Sequence, residues 1–130
     1  MIDLFERYTQ AFDSFDASAI ANLYTLPCAT SDADGKNVFT DRVSLINKFS
    51  ENCYAMKAMG YKYAEFNVLS KITMGEAAKV VNVAWRVNTS ATNIESSGIE
   101  FRSLYICHQV ESDWLIFSAN VYEGPFNDPS

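Results

Sequence analysis

The amino-acid sequence predicts a single α+β domain over residues 1–130, in which N-terminal helices pack on one face of a strongly curved antiparallel sheet. Two observations support this prediction. Apolar residues recur at helical spacing before Tyr61, whereas from Tyr61 onward they alternate with a period of two. A chain of 130 residues also has the usual size of one domain.

The first helix is predicted from the spacing of its apolar side chains. Asp3 and Glu6 have the spacing of a capping box, with Asp in the place of Ser or Thr. A second, short helix follows, with Asp16 or Ser18 as its cap and Pro27 as its stop. The buried stripe of the first helix consists of Leu4, Phe5, Tyr8, Ala11, Phe12 and Phe15.

A small hairpin and a third helix come next. Residues 27–32 and 36–40 form the predicted hairpin, because Asp34-Gly35 between them is a typical hairpin turn. Asp41 then caps the third helix and Gly60 ends it. The buried stripe of this helix consists of Leu45, Ile46, Phe49, Cys53 and Met56.

The rest of the chain is predicted to form an antiparallel meander. Polar or glycine-containing turns separate its strands, one of them centred near Asn93, and the tail from Gly124 is predicted to be loose. The predicted strands cover residues of about 61–72, 78–89, 98–110 and 114–123.

Alternation within the strands predicts which side chains face the helices. A register with Trp85 opposite Phe101 and Arg86 opposite Glu100 keeps aromatic side chains together inside and opposite charges together outside. The inward set of the second long strand is therefore Val81, Val83, Trp85 and Val87.

The last strand allows two assignments of the side chains that face the helices. A dry core would take its wholly apolar set, which consists of Leu115, Phe117, Ala119 and Val121. The wall of a ligand pocket would instead take the mixed set, because pockets combine apolar walls with a few polar groups. The mixed set consists of Trp114, Ile116, Ser118, Asn120 and Tyr122. The apolar set would then lie on the outer face of the sheet together with Leu104 and Ile106. Because an outer face of this kind is usually covered by a partner, we expect a homodimer.

Composition excludes several functions. Sixteen acidic against ten basic residues give a net charge of −6, and no basic stripe is present, so we expect neither nucleic acid nor an anionic membrane as a partner. No apolar run approaches the ~20 residues of a membrane span, and the start has no signal-peptide pattern, so a cytoplasmic location is expected. One histidine, three cysteines without C-x-x-C spacing and no glycine-rich phosphate loop predict no metal, nucleotide or redox cofactor.

The order of these elements resembles the NTF2-like, cystatin-like superfamily of α+β cones, which includes ketosteroid isomerases and SnoaL-type cyclases. The resemblance covers Asp3 to Gly124 and is strongest over RYTQAFDSFDASAIANLYTLPCATSD, residues 7–32, which aligns with the isomerase N-terminus without a gap. Uncharacterised bacterial NTF2-like proteins are more similar still, through motifs present here as Leu23–Pro27, Asp34-Gly35, Thr40–Arg42, Gly60-Tyr61 and Trp85–Arg86.

The isomerase resemblance implies roles for three residues. Tyr8 falls on the oxyanion-hole tyrosine, Tyr24 on a second network tyrosine, and Asp32 on the carboxylate that moves the proton. The match is incomplete, because residues 103–105 contain no counterpart of the protonated acid in the isomerase oxyanion hole, and Phe49 replaces a third tyrosine. From the residues alone, the ordinary interpretation of Tyr8 is a core tyrosine, and an aspartate at the position of Asp32 is more often a turn-stabilising residue.

Three functions are consistent with the sequence. The first is a conical pocket that binds a small, mainly apolar or amphipathic molecule. The second is an isomerase or dehydratase, with Asp32 as the base and Tyr8 as the oxyanion donor. The third is a structural or protein-binding dimer with a filled core. The residues predicted to line the pocket are Tyr8, Tyr24, Phe49, Trp85, Tyr105, Asn120 and Tyr122.

Overall fold

The computed structural model describes residues 2–90 and 98–124, and it confirms the α+β prediction. The predicted turn near Asn93 and the predicted loose tail lie outside the described residues, apart from Gly124 itself. The described elements are α1 (Ile2–Asp13), α2 (Ala17–Ala21), β1 (Tyr24–Asp32), β2 (Gly35–Phe39), α3 (Arg42–Ala58), β3 (Tyr61–Thr73), β4 (Ala78–Thr89), β5 (Gly98–Val110) and β6 (Asp113–Glu123).

All six of these strands belong to one sheet in the order β2-β1-β6-β5-β4-β3. The sheet is not wholly antiparallel as predicted, because β1 runs parallel to β6. After β2 the chain crosses to the far edge through α3, and the meander then returns strand by strand to the first hairpin. The sheet curls without closing, with β2 and β3 as its edges.

The predicted caps are right for two helices and wrong for one. Asp16 caps α2, and its carboxylate accepts a hydrogen bond from the Ala19 amide at 3.0 Å. Asp41 caps α3 by accepting from the Ser44 amide at 3.0 Å, and this bond lowers the pKa of Asp41. Helix α1 already includes Asp3 in its first turn, so Asp3 is not its cap.

Helix α2 is shorter than predicted. It ends at Ala21, because the following backbone pairs with β6: the Ile116 amide donates to the Leu23 carbonyl at 2.8 Å, and Tyr24 lies opposite Ile116. Pro27 therefore lies inside β1, whose pairing with β6 is irregular between Tyr24 and Ala29. Strand pairing has replaced the helical hydrogen bonds that the sequence predicts here.

The aromatic core between the helices and the sheet agrees with the predicted periodicity. Phe5 of α1 is fully buried, and its ring lies 5.0 Å from that of Tyr105. Trp85 pairs with Phe101 and Arg86 with Glu100, which confirms the predicted register. The second pair is an ion pair of 2.7 Å on the outer side of the sheet.

Asp13, the last residue of α1, joins this helix to β3. Its carboxylate accepts hydrogen bonds from the Tyr61 hydroxyl at 2.5 Å and from the Ala64 amide at 3.2 Å. Burial, together with the Asp13 carboxylate, raises the pKa of Tyr61, which therefore stays protonated as a donor. These contacts hold the end of α1 against the sheet.

A bulge in β6 changes which side chains face inward. Cys107 pairs with Ile116, but Ile106 pairs with Ser118, so Phe117 is an extra residue. Ile116 is buried before the bulge, whereas Ala119 and Val121 face the helices after it. The assignment of Ala119 and Val121 to the outer face is therefore wrong.

Among the described residues, no helix is long and apolar enough to cross a membrane.

Candidate functional site

A cavity of about 260 Å³ lies between the curled sheet and helices α1 and α3. Most of its wall is aromatic or aliphatic, as in small-molecule sites generally. The apolar lining residues are Phe12, Ala33, Phe49, Ala55, Met56, Met59, Ala64, Trp85, Val87, Phe101, Ala119 and Val121. Five of the seven side chains predicted to line a pocket border this space, and they are Tyr8, Tyr24, Phe49, Trp85 and Tyr105.

Four of the predicted site residues form two hydrogen-bonded pairs. The hydroxyls of Tyr8 and Tyr24 are 2.7 Å apart, and the Trp85 indole donates to the Tyr105 hydroxyl at 2.8 Å. Burial raises the pKa values of Tyr8, Tyr24 and Tyr105, so these phenols are uncharged at neutral pH. Phe49 packs on this network, its ring 5.0 Å from that of Tyr24.

Asp32 lies at the end of β1, where it stabilises the hairpin turn and also borders the cavity. One carboxylate oxygen accepts the Asp34 amide at 3.0 Å, as in an Asx turn. The other lies 3.1 Å from the Lys48 ammonium, which is also 3.3 Å from the Asp34 carboxylate. Asp32 nevertheless lines the cavity, so it is at once a turn residue and part of the cavity wall.

Lys48 and Thr30 complete what we call the polar cluster, which is Thr30, Asp32 and Lys48. Lys48 is only 8% exposed although it carries a charge, and its ion pair with Asp32 compensates for the lost hydration. Thr30 is 4% exposed, and its hydroxyl has no hydrogen-bond partner among the described residues. Both side chains line the cavity.

Two of the three members of this cluster, Lys48 and Thr30, were not predicted from the sequence. A signal for Lys48 was present, since it lies three residues after Leu45 and beside Phe49, on the buried stripe of α3. Thr30 lies two residues before Asp32 on β1, so the two share a face of the strand. Nothing in the sequence indicated that its hydroxyl would be unpaired.

Asn120 and Tyr122 do not line the cavity, so their assignment to its wall is wrong. Because of the bulge in β6, Asn120 lies on the convex face of the sheet, which is the outer face turned away from the helices. There it donates to the Leu104 carbonyl at 3.1 Å. The Tyr122 hydroxyl donates to the Asn82 side chain at 2.8 Å on that same face.

A wider and more open groove of about 540 Å³ crosses β3, β4 and β5. Its charged side chains include the ion pairs Arg86–Glu100, at 2.7 Å, and Arg102–Glu123, at 3.2 Å. Because these charges neutralise each other within the groove, it offers less to a ligand than the mainly apolar cavity between the sheet and the helices.

The thiols are buried, and no metal cluster occurs among the described side chains. Cys28, Cys53 and Cys107 are free, and burial raises the pKa of Cys28 to about 11 and that of Cys107 to about 12. Within residues 2–90 and 98–124, no three His, Cys, Asp or Glu side chains lie close enough to hold a metal ion.

A curled sheet closed by helices around an internal cavity defines the class of NTF2-like α+β proteins. The chain belongs to the family described as NTF2-like protein (DUF6841), whose model matches residues 1–124. A search of curated proteins finds no significant match.

Solved structures share the fold at low sequence identity. An NTF-2 like protein of unknown function from Shewanella oneidensis MR-1 has a TM-score of 0.72 and 11% identity, covering 92% of this chain and 93% of that one. A ketosteroid isomerase-like protein from Erwinia carotovora atroseptica SCRI1043 has a TM-score of 0.68 and 12% identity, covering 94% and 92%. A domain of unknown function with a cystatin-like fold from Nostoc punctiforme PCC 73102 has a TM-score of 0.74 and 12% identity, covering 93% and 73%.

The unpaired Thr30 hydroxyl yields a stability prediction. Thr30→Val removes a buried polar group that has no partner, so it should stabilise the ligand-free protein by about 1 kcal/mol. Thr30→Ser retains the hydroxyl and should show no such gain. Urea denaturation of the three proteins measures the difference, and a Thr30→Val protein less stable than the unmodified one would show that the hydroxyl has a partner.

Proposed function

We propose that this chain binds a small, mainly apolar molecule in the cavity between the sheet and helices α1 and α3. The observation that supports this proposal is a space of about 260 Å³ with a mostly aromatic and aliphatic wall. An apolar cavity of roughly 150 Å³ accommodates benzene. The space here therefore suits a molecule of about two fused rings.

The hydrogen-bond pairing of the aromatic side chains favours an apolar ligand. The polar atoms of Tyr8 and Tyr24 bond each other, as do those of Trp85 and Tyr105. Since these groups are already partnered, the surface that they offer to a ligand is mainly ring carbon.

The same contacts favour binding over proton transfer. Both carboxylate oxygens of Asp32 are already engaged, one by the Asp34 amide and the other by the ion pair with Lys48, so neither is directed at a substrate alone. The Tyr8 hydroxyl already has a hydrogen-bond partner in the Tyr24 hydroxyl, 2.7 Å away. Isomerisation of a β,γ-unsaturated ketone that is lost in Asp32→Asn would support the enzyme alternative instead.

Indane, a two-ring hydrocarbon, tests the binding proposal. Trp85 lines the cavity and Trp114 does not, so Trp114→Phe leaves one tryptophan as the reporter. At roughly 0.7 kcal/mol per non-hydrogen atom, indane should change the Trp85 fluorescence with a dissociation constant on the order of 10–100 µM.

A cavity-filling variant provides the control. Val121→Phe places a larger side chain in the wall and should abolish the response to indane. Val38→Phe makes the same change on β2, at a position that is 72% exposed and outside the cavity, and should leave the response intact. A response that survives Val121→Phe, or none in the parent protein, would contradict the proposal.

We also propose that two copies pair through the convex face of the sheet. Leu104, Ile106 and Leu115 are half-buried there, and Phe117 stacks on His108 with ring centroids 5.1 Å apart. An antiparallel sheet usually turns polar side chains to solvent, so this apolar surface favours a covering partner. The Arg86–Glu100 pair on the same face is internally neutral, so it does not oppose a second copy.

A charge on this face tests the pairing. Leu104→Glu should convert a dimer into a monomer in light scattering on the order of 10 µM, because a carboxylate would be buried without a partner. Val43→Glu makes the same change at an exposed position on α3, away from the sheet, and should leave the mass unchanged. A monomeric parent protein at that concentration would contradict the proposal.

A further inference from the structure

We infer that the ligand of the cavity carries an uncharged oxygen, a hydroxyl or a carbonyl, that hydrogen-bonds to Thr30 in the polar cluster. This inference rests on the proposed function and specifies the class of ligand. Thr30 lines the cavity at 4% exposure, and its hydroxyl lacks a hydrogen-bond partner among the described residues.

A buried hydroxyl without a partner is rare, since most buried polar groups are hydrogen-bonded. The neighbouring groups on the cavity wall are already engaged, because Asp32 forms an ion pair with Lys48 and accepts a hydrogen bond from the Asp34 amide. The Thr30 hydroxyl can both donate and accept. The hydroxyl oxygen itself has almost no surface open to the cavity, so rotation about the Cα–Cβ bond of Thr30 must turn it inward. A ligand oxygen within the cavity would then supply the partner that the described part of the chain does not.

The charges around the polar cluster determine what kind of oxygen it accepts. Asp32 and Lys48 form an ion pair and cancel each other's charge, while Asp34 is 66% exposed and screened by water. The cluster thus offers hydrogen-bonding groups with little net charge. A carboxylate or an ammonium group would be buried there without a free counter-ion, which is costly, whereas a hydroxyl or carbonyl would not.

Derivatives of indane test this inference. In the Trp114→Phe background, Thr30→Val should weaken the binding of 2-indanol roughly fivefold to tenfold, because one hydrogen bond is lost. Its affinity for indane should stay unchanged, since indane has no oxygen. Thr30→Ser keeps the hydroxyl and should bind 2-indanol nearly as well as the parent. Indane-2-carboxylate and 2-aminoindane should both bind the parent more weakly than 2-indanol.

The possible outcomes distinguish a failure of this inference from a failure of the proposed function. An equal loss for indane and 2-indanol in Thr30→Val, or no loss for either, would overturn the Thr30 contact and leave apolar binding intact. Tighter binding of the carboxylate or the amine than of 2-indanol would overturn the preference for an uncharged group. If indane itself does not bind the parent protein, the proposed function fails and this inference fails with it.

Discussion

The interior depends on the pairing of polar atoms carried by buried aromatic side chains. Tyr8 of α1 bonds Tyr24 of β1, and Trp85 of β4 bonds Tyr105 of β5, so helix and sheet are joined where each group would otherwise lose its bond to water. The ring centroids of Tyr8 and Trp85 lie only 5.6 Å apart, which makes the two pairs one cluster. Beside this cluster the curled sheet leaves a space whose wall is mainly carbon.

Much of the fold was predictable because it follows from local periodicity. The buried stripe of α1 and the register of Trp85 against Phe101 depend on spacing and on cross-strand pairing, which the sequence displays. It was not predictable in this way which side chains of β6 face the helices, because one bulged residue, Phe117, reverses the alternation after it. The parallel pairing of β1 with β6 likewise depends on contacts between residues far apart in the chain.

The candidate site was likewise predictable only in part. The aromatic residues predicted from the helix and strand faces meet around one cavity, with Phe49 beside Tyr24. The polar cluster was missed because it exists only when the β1–β2 hairpin places Asp32 against Lys48 of α3. Asp32 was interpreted as either a turn residue or a pocket carboxylate, yet it accepts the Asp34 amide in the turn and also lines the cavity.

The central claim, an open apolar cavity beside the aromatic cluster, is tested most directly by a crystal structure of the protein under xenon pressure. Xenon enters apolar cavities that water leaves empty. We expect a xenon atom inside the space walled by Phe49, Trp85 and Val121, with no other change in the surrounding side chains. Ordered water throughout that space, or side chains packed across it with no room for xenon, would contradict the claim.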